Sequence, residues 1–163
     1  MTIYSFWIFD KHCNCIFDKE WTIPSQPRSG TTNSKQNENV AKLLYGLIFS
    51  LRSITDKISS DPVDFLSQKN RIRSITTGKC RVHLFETATG FWFALMTDFK
   101  QDDYYDILNH IYKNIFVRFI SLNYISPSDF VENEDEKGGQ GIRKINNKNF
   151  INNLELFLSP LIS

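Results

Sequence analysis

At 163 residues the chain fits one domain with a sizeable core, and a 41% hydrophobic, 14% aromatic composition with 14 Phe excludes a disordered chain. Nineteen basic against eighteen acidic side chains leave a net charge of +1, which supplies no electrostatic excess for nucleic acid. Three cysteines without an export signal point to free thiols in a reducing, cytosolic compartment, and no apolar run approaches the ~20 residues that span a bilayer.

In chain order, Ile3–Phe9 is apolar on both faces and reads as a central strand, not a signal segment, because it runs into Asp10 and Lys11. Cys13–Phe17 returns as the second strand of a hairpin. The polar stretch Pro24–Ser34 reads as a loop ending in a helix cap near Asn33 or Ser34. A long helix follows, with Val40, Leu44, Leu47, Leu51, Ile54 and Ile58 as the expected core stripe. Tyr45 and Phe49 then lie roughly 140° to 180° from the centre of that stripe, facing away from the core beside Arg52.

After a connecting loop at 59–70, three short strands are expected at Arg71–Thr76, Cys80–Glu86 and Phe91–Met96, separated by glycine-bearing turns. The last is again apolar on both faces and is the natural neighbour of Ile3–Phe9, so the pair should form the centre of a five-stranded antiparallel sheet; Arg71 and Arg73 mark the first as an edge. A helix over about Asp103–Leu122 carries the stripe Tyr104, Leu108, Ile111, Ile115 and Phe119. A polar connector at 126–148 contains Glu132, Glu134, Asp135 and Glu136, and a final helix Phe150–Leu158, with Phe150, Leu154 and Phe157 inward, stops at Pro160.

Little in this sequence assembles into chemistry. His12, Cys13 and Cys15 lack the paired cysteine spacing of a zinc site, and Cys13 and Cys15 on one strand would lie about 6.6 Å apart with parallel Cβ vectors. Cys80 and His83 sit at an odd offset and fall on opposite strand faces, which argues against a nucleophile and base pair. His110 is mid-helix among apolar neighbours, and Glu86 and Asp98 flank a strand without a pocket. Gly138-Gly139-Gln140-Gly141 lacks the Lys-Ser/Thr ending of a phosphate loop. No catalytic residue, metal ligand or cofactor site is expected. The candidate sites are for partners: Tyr45, Phe49 and Arg52 have hot-spot composition, and Lys35, Gln36, Asn37 and Glu38 form a polar first turn able to hydrogen-bond another protein.

The order strand, strand, long helix, three strands, helix, helix resembles the longin-type fold. The segments Ile3-Tyr4-Ser5-Phe6-Trp7-Ile8-Phe9-Asp10, Ser34-Lys35-Gln36-Asn37-Glu38 with Ala41-Lys42-Leu43-Leu44-Tyr45-Gly46, and Thr89-Gly90-Phe91-Trp92-Phe93 resemble the small longin-like subunits, of the subunit-one or blocked-early-in-transport type, of the trafficking protein particle, TRAPP. Ser126-Pro127-Ser128-Asp129-Phe130 and Gly141-Ile142-Arg143-Lys144 extend the likeness; 24–32 and 59–70 carry none of it. The resemblance implies an α+β, longin-like fold over 1–163 as a single domain, with two helices at the C-terminus. It also implies a non-catalytic subunit of a tethering complex that acts as guanine-nucleotide exchange factor for a Rab-type small GTPase in endoplasmic reticulum to Golgi vesicle transport. Its partners would be a synbindin-type longin-like subunit, acyl-binding-type subunits and, through the assembled complex, the GTPase. It would sit peripherally on cis-Golgi or ER-derived vesicle membranes, with no nucleic acid and no membrane insertion. Exchange by stabilising the nucleotide-free GTPase is differential binding and needs no nucleophile. The alternative is the small chain of a clathrin-type adaptor binding sorting peptides. A longin-type fusion protein would need heptads or an anchor, which the chain ending at Ser163 lacks, and a Cys80 hydrolase is the remaining enzyme reading.

Overall fold

The computed structural model describes residues 3–21, 30–58, 71–100, 103–126, 130–132, 141–142 and 144–162. Strands β1 (Ile3–Phe9), β2 (Cys15–Glu20), β3 (Ser74–Thr76), β4 (Cys80–Glu86) and β5 (Trp92–Asp98) form one antiparallel sheet in the order β2-β1-β5-β4-β3. As the two-faced apolar pattern predicts, β1 and β5 are neighbours inside the sheet, paired from Phe9↔Trp92 to Ile3↔Thr97, and β3 is an edge.

Side chains alternating across this sheet feed two cores. On one face Phe6, Ile8, Phe17, Phe85, Phe93 and Leu95 pack against α2 (Tyr105–His110), the π-helical segment Ile111–Ser121 that continues it, and α3 (Lys148–Ile162). On the other, Trp7, Phe9, Val82, Leu84, Trp92 and Ala94 meet α1 (Glu38–Ile58) through Ala41, Leu44 and Ile48. Two short strands, β6 (Val131–Glu132) and β7 (Gly141–Ile142), pair with each other.

Several elements depart from the sequence expectation. The second strand starts later and runs further, over Cys15–Glu20: the Asp10 carboxylate accepts from His12 N (2.9 Å) and Asn14 N (2.8 Å), shaping a turn in which Cys13 has φ 69°. Pairing with β1 (Trp7↔Asp18, Phe6↔Lys19, Ser5↔Glu20) then outweighs the poor strand propensity of three charged residues. The long helix is rotated from its expected orientation. Val40, Leu47, Ile54 and Ile58 of the expected core stripe are 44%, 45%, 50% and 75% exposed, while Leu44 of that stripe is buried and meets the sheet together with Ala41 and Ile48. Ala41 lets the helix approach Trp7, Phe9 and Trp92, whose bulk fills the space from the sheet side.

In the second helix the inward stripe runs Tyr104, Leu108, Ile111, Ile115, Phe116 and Ile120, with Phe119 only half-buried. From Ile111 onward the wider π winding replaces the 3.6-residue period that places Phe119 inside. The final helix is longer than expected, Lys148–Ile162, with Pro160 inside its last turns. It buries Phe150, Leu154 and Leu158, while Phe157 stacks on His110 at 4.7 Å.

His83 on β4 is fully buried between the sheet and the second helix. Tyr104 N donates to Nδ1 (3.3 Å), so Nε2–H donates to Thr97 Oγ1 (2.9 Å), and the ring stacks on Tyr104 at 5.0 Å. Burial, and secondarily the positive charge of Arg81, lower its pKa from 6.5 to about 4, partly opposed by Asp103. The folded state thus holds His83 neutral while the unfolded chain takes up a proton below pH ~6.5. Its contribution is complete above that pH and is lost as pH falls towards 4, by about 3 kcal/mol in all. Denaturant titrations between pH 7 and 4.5 should show this loss, and His83→Gln should remove most of that pH slope.

Candidate interaction surface

The expected partner residues lie along α1 and the turn that precedes it. Ser34 caps a 3-10 turn, Lys35–Asn37, its hydroxyl accepting from Gln36 N (3.3 Å) and its carbonyl from Asn37 N (3.1 Å). Lys35, Gln36 and Glu38 are exposed, but Asn37 is buried and donates to Asp18 Oδ2 (3.0 Å), so it holds the turn in place instead of facing a partner.

The aromatic pair also divides. Tyr45 is not turned away from the core: it is half-buried, its ring 5.5 Å from that of Phe9, and burial followed by a hydrogen bond with Cys13 raises its pKa to about 12. Phe49 is 60% exposed and stacks on the outer side of Tyr45 at 6.4 Å. Arg52 lies over Trp92 (5.2 Å) and donates to Glu86 Oε1 (2.8 Å), so its guanidinium already has partners within the chain. Tyr45→Ala should therefore lower the unfolding free energy by about 2 kcal/mol or more through the lost packing on Phe9, whereas Phe49→Ala should cost less than about 1 kcal/mol; chemical denaturation of the two variants measures the difference.

Four of the six residues expected in the core stripe, Val40, Leu47, Ile54 and Ile58, lie on the outward surface instead. Val40, Leu43, Leu47, Ile54 and Ile58 lie within about 60° of arc, roughly 100° round the helix from Ala41, Leu44 and Ile48, and Leu43 is the most exposed of them at 76%. An apolar line about five turns long, flanked by the polar turn at Lys35–Glu38, is far from the scattered single apolars that ordinary surfaces carry. Periodicity alone could not say which of the two apolar stripes of α1 meets the sheet.

No arrangement for catalysis emerges among the described residues. Cys13 is exposed, Cys15 buried and Cys80 half-buried, all as free thiols. Burial, with a smaller push from Asp18, raises the Cys15 pKa to about 12, the wrong direction for a nucleophile. Cys80 Sγ contacts Thr77 Oγ1 (3.2 Å) while His83 is engaged by Thr97 and Tyr104, so the two do not pair. His110 contacts Asn114 through Nδ1 (3.0 Å), and no cluster of three metal-ligating side chains occurs among the described residues. Residues 138–140 of the glycine-rich segment, the acidic run 134–136 and the loops at 24–29 and 59–70 lie outside the described residues. No described helix is long and apolar enough to cross a membrane.

A two-sided antiparallel sheet with one long helix on one face and the paired C-terminal helices on the other is the longin-like architecture, and the chain belongs to the Sybindin-like family, whose pattern matches residues 3–150. Over 163 residues, all of this chain and 99% of the relative, it is 61% identical to trafficking protein particle complex subunit BET5 of Saccharomyces cerevisiae. It is 32% identical over 125 residues, 74% of this chain and 76% of the relative, to transport protein particle subunit bet5 of Schizosaccharomyces pombe. With human trafficking protein particle complex subunit 1 it shares 30% identity over 127 residues, 78% of this chain and 80% of the relative. These relatives are subunits of a trafficking complex and none is named as an enzyme.

Proposed function

We propose that this chain is a non-catalytic subunit of a TRAPP tethering complex, a single longin-like domain whose work is to bind neighbouring subunits and to contribute to a surface that receives a Rab-type small GTPase. The observation that carries this reading is the exposed apolar stripe of α1, Val40 to Ile58. Its core-facing stripe is already seated on the sheet, so removing the outer one from water takes a second chain. The names of its relatives support the kind of assembly in which that chain is found, and the family match favours a tethering particle over the small chain of a clathrin-type adaptor.

In this reading a synbindin-type subunit covers the outer stripe, Phe49 and Arg52 on the opposite side of α1 face a different neighbour, and acyl-binding-type subunits abut the chain elsewhere. The exposed Lys35, Gln36 and Glu38 lie at the junction where the GTPase docks. The complete particle promotes guanine-nucleotide exchange in transport from the endoplasmic reticulum to the Golgi, peripherally at cis-Golgi and ER-derived vesicle membranes. Exchange arises from tighter binding of the nucleotide-free GTPase than of its nucleotide-bound form.

Leu43→Glu combined with Ile58→Glu should leave the circular dichroism and unfolding midpoint of the isolated chain within error, because both side chains are in water there. Co-assembly with the synbindin-type subunit should weaken by about 2 kcal/mol or more per anchor. Normal co-assembly of the double variant would instead direct attention to the edge strand β3. The purified chain alone should not accelerate release of fluorescent nucleotide from a Rab GTPase; release should require the assembled particle.

A further inference from the structure

The polar turn at the head of α1 is held by a hub that no part of the sequence reading singled out. Asp18, on β2, is fully buried. Its Oδ2 accepts from Asn37 Nδ2 (3.0 Å) and from Ser34 N (3.2 Å), and its Oδ1 accepts from Lys144 Nζ (2.7 Å). The backbone of the same residue exchanges bonds with Asn33, whose N–H donates to Asp18 O (2.8 Å) and whose Oδ1 accepts from Asp18 N (3.2 Å). Asn33 takes φ 54°, a left-handed conformation that Asn tolerates better than most residues, and its Nδ2 donates to Ile145 O (2.8 Å). Ile145 N in turn donates to Ile16 O (2.7 Å), at the bulge where β2 carries one more residue than β1. One carboxylate thus ties together β2, the capped turn and the chain at 144–145.

The charge at this hub is the telling feature. A carboxylate removed from water is costly unless paired and hydrogen-bonded, and Lys144 is the cation that pairs it. Removing one member of such a pair is far more damaging than replacing both with neutral groups. The placement of the Lys35–Glu38 turn therefore depends on a lysine more than a hundred residues away, in the segment that leads into α3.

We propose that Asp18 is a positioning residue for the partner-binding turn: while Lys144 neutralises it, it fixes Ser34 and Asn37 and so presents Lys35, Gln36 and Glu38, and any event that withdraws Lys144 loosens that turn and weakens docking there. This rests on the reading of the turn as a docking surface.

The test uses the full chain with Lys144→Met, Lys144→Arg and the neutral pair Asp18→Asn with Lys144→Met, read by amide hydrogen exchange and by nucleotide release from a Rab GTPase in the reconstituted particle. Lys144→Met should speed exchange at Ser34 and Asn37 by about tenfold or more while Phe6, Ile8 and Phe93 in the central strands keep their protection. Particle-driven nucleotide release should slow in parallel, and both Lys144→Arg and the neutral pair should recover most of the loss, the non-additivity expected of direct partners. Unchanged exchange at the turn, or a uniform increase across the sheet, would overturn the proposal, the second by showing that the hub merely supports the whole domain. Lys35→Ala with Glu38→Ala in the same particle separates the two claims. If that variant slows release while Lys144→Met does not, Asp18 is not the positioning residue and the docking surface stands. If neither slows release although Lys144→Met loosens the turn, the docking surface is wrong and the proposal falls with it.

Discussion

The constraint on which the structure depends is that β1 and β5 carry large apolar side chains on both faces. Phe6, Ile8, Phe93 and Leu95 point one way and Trp7, Phe9, Trp92 and Ala94 the other, so neither face of the sheet can be left in water. Covering both requires helices on each side, and the chain provides them in order: α1 after the first hairpin, α2 and α3 after the last strand. Because α1 reaches the sheet through small Ala41 together with Leu44 and Ile48, the helix is seated with a second apolar stripe pointing outward. The outward stripe that carries the proposed subunit contact follows from how the core is closed.

Among the described residues several reactive-looking side chains have structural partners. Polar groups that a sequence scan would consider reactive are used for packing: His83 is held neutral between Thr97 and Tyr104, the Cys15 thiol is buried, and Arg52 is spent on Glu86 and Trp92. An exchange-promoting surface requires shape and selective affinity, not a nucleophile.

The sheet was legible in the residues because strand signals were strong where they mattered: two-faced apolar runs for β1 and β5, glycine turns around β4, and arginines marking the β3 edge. The ends of β2 were not, since Asp18, Lys19 and Glu20 become strand through pairing with β1 and through Asn33 and Ile145, which lie distant in sequence. The rotation of α1 escaped because Val40, Leu47 and Ile54 recur with the same spacing as a core stripe, and only the bulk of Trp7, Phe9 and Trp92 decides which stripe the sheet accepts. The same holds for Phe119, displaced by π winding that periodicity cannot anticipate. Of the proposed site, Lys35, Gln36, Glu38 and Phe49 were named from the sequence and are exposed. Leu43, Asp18 and Lys144 were not, because exposure and long-range pairing are products of the fold.

In the proposed assembly α1's outer stripe is touched by water in the free chain and covered by a neighbouring subunit in the particle. Hydroxyl-radical footprinting of the isolated chain and of the reconstituted particle measures this residue by residue. Labelling of Leu43, Leu47, Ile54 and Ile58 should fall by at least about fivefold on assembly, matching the near-complete desolvation at an interface centre, while the already buried Leu44 and Ile48 stay unlabelled in both states. Equal labelling of the stripe in the free and assembled forms would contradict it.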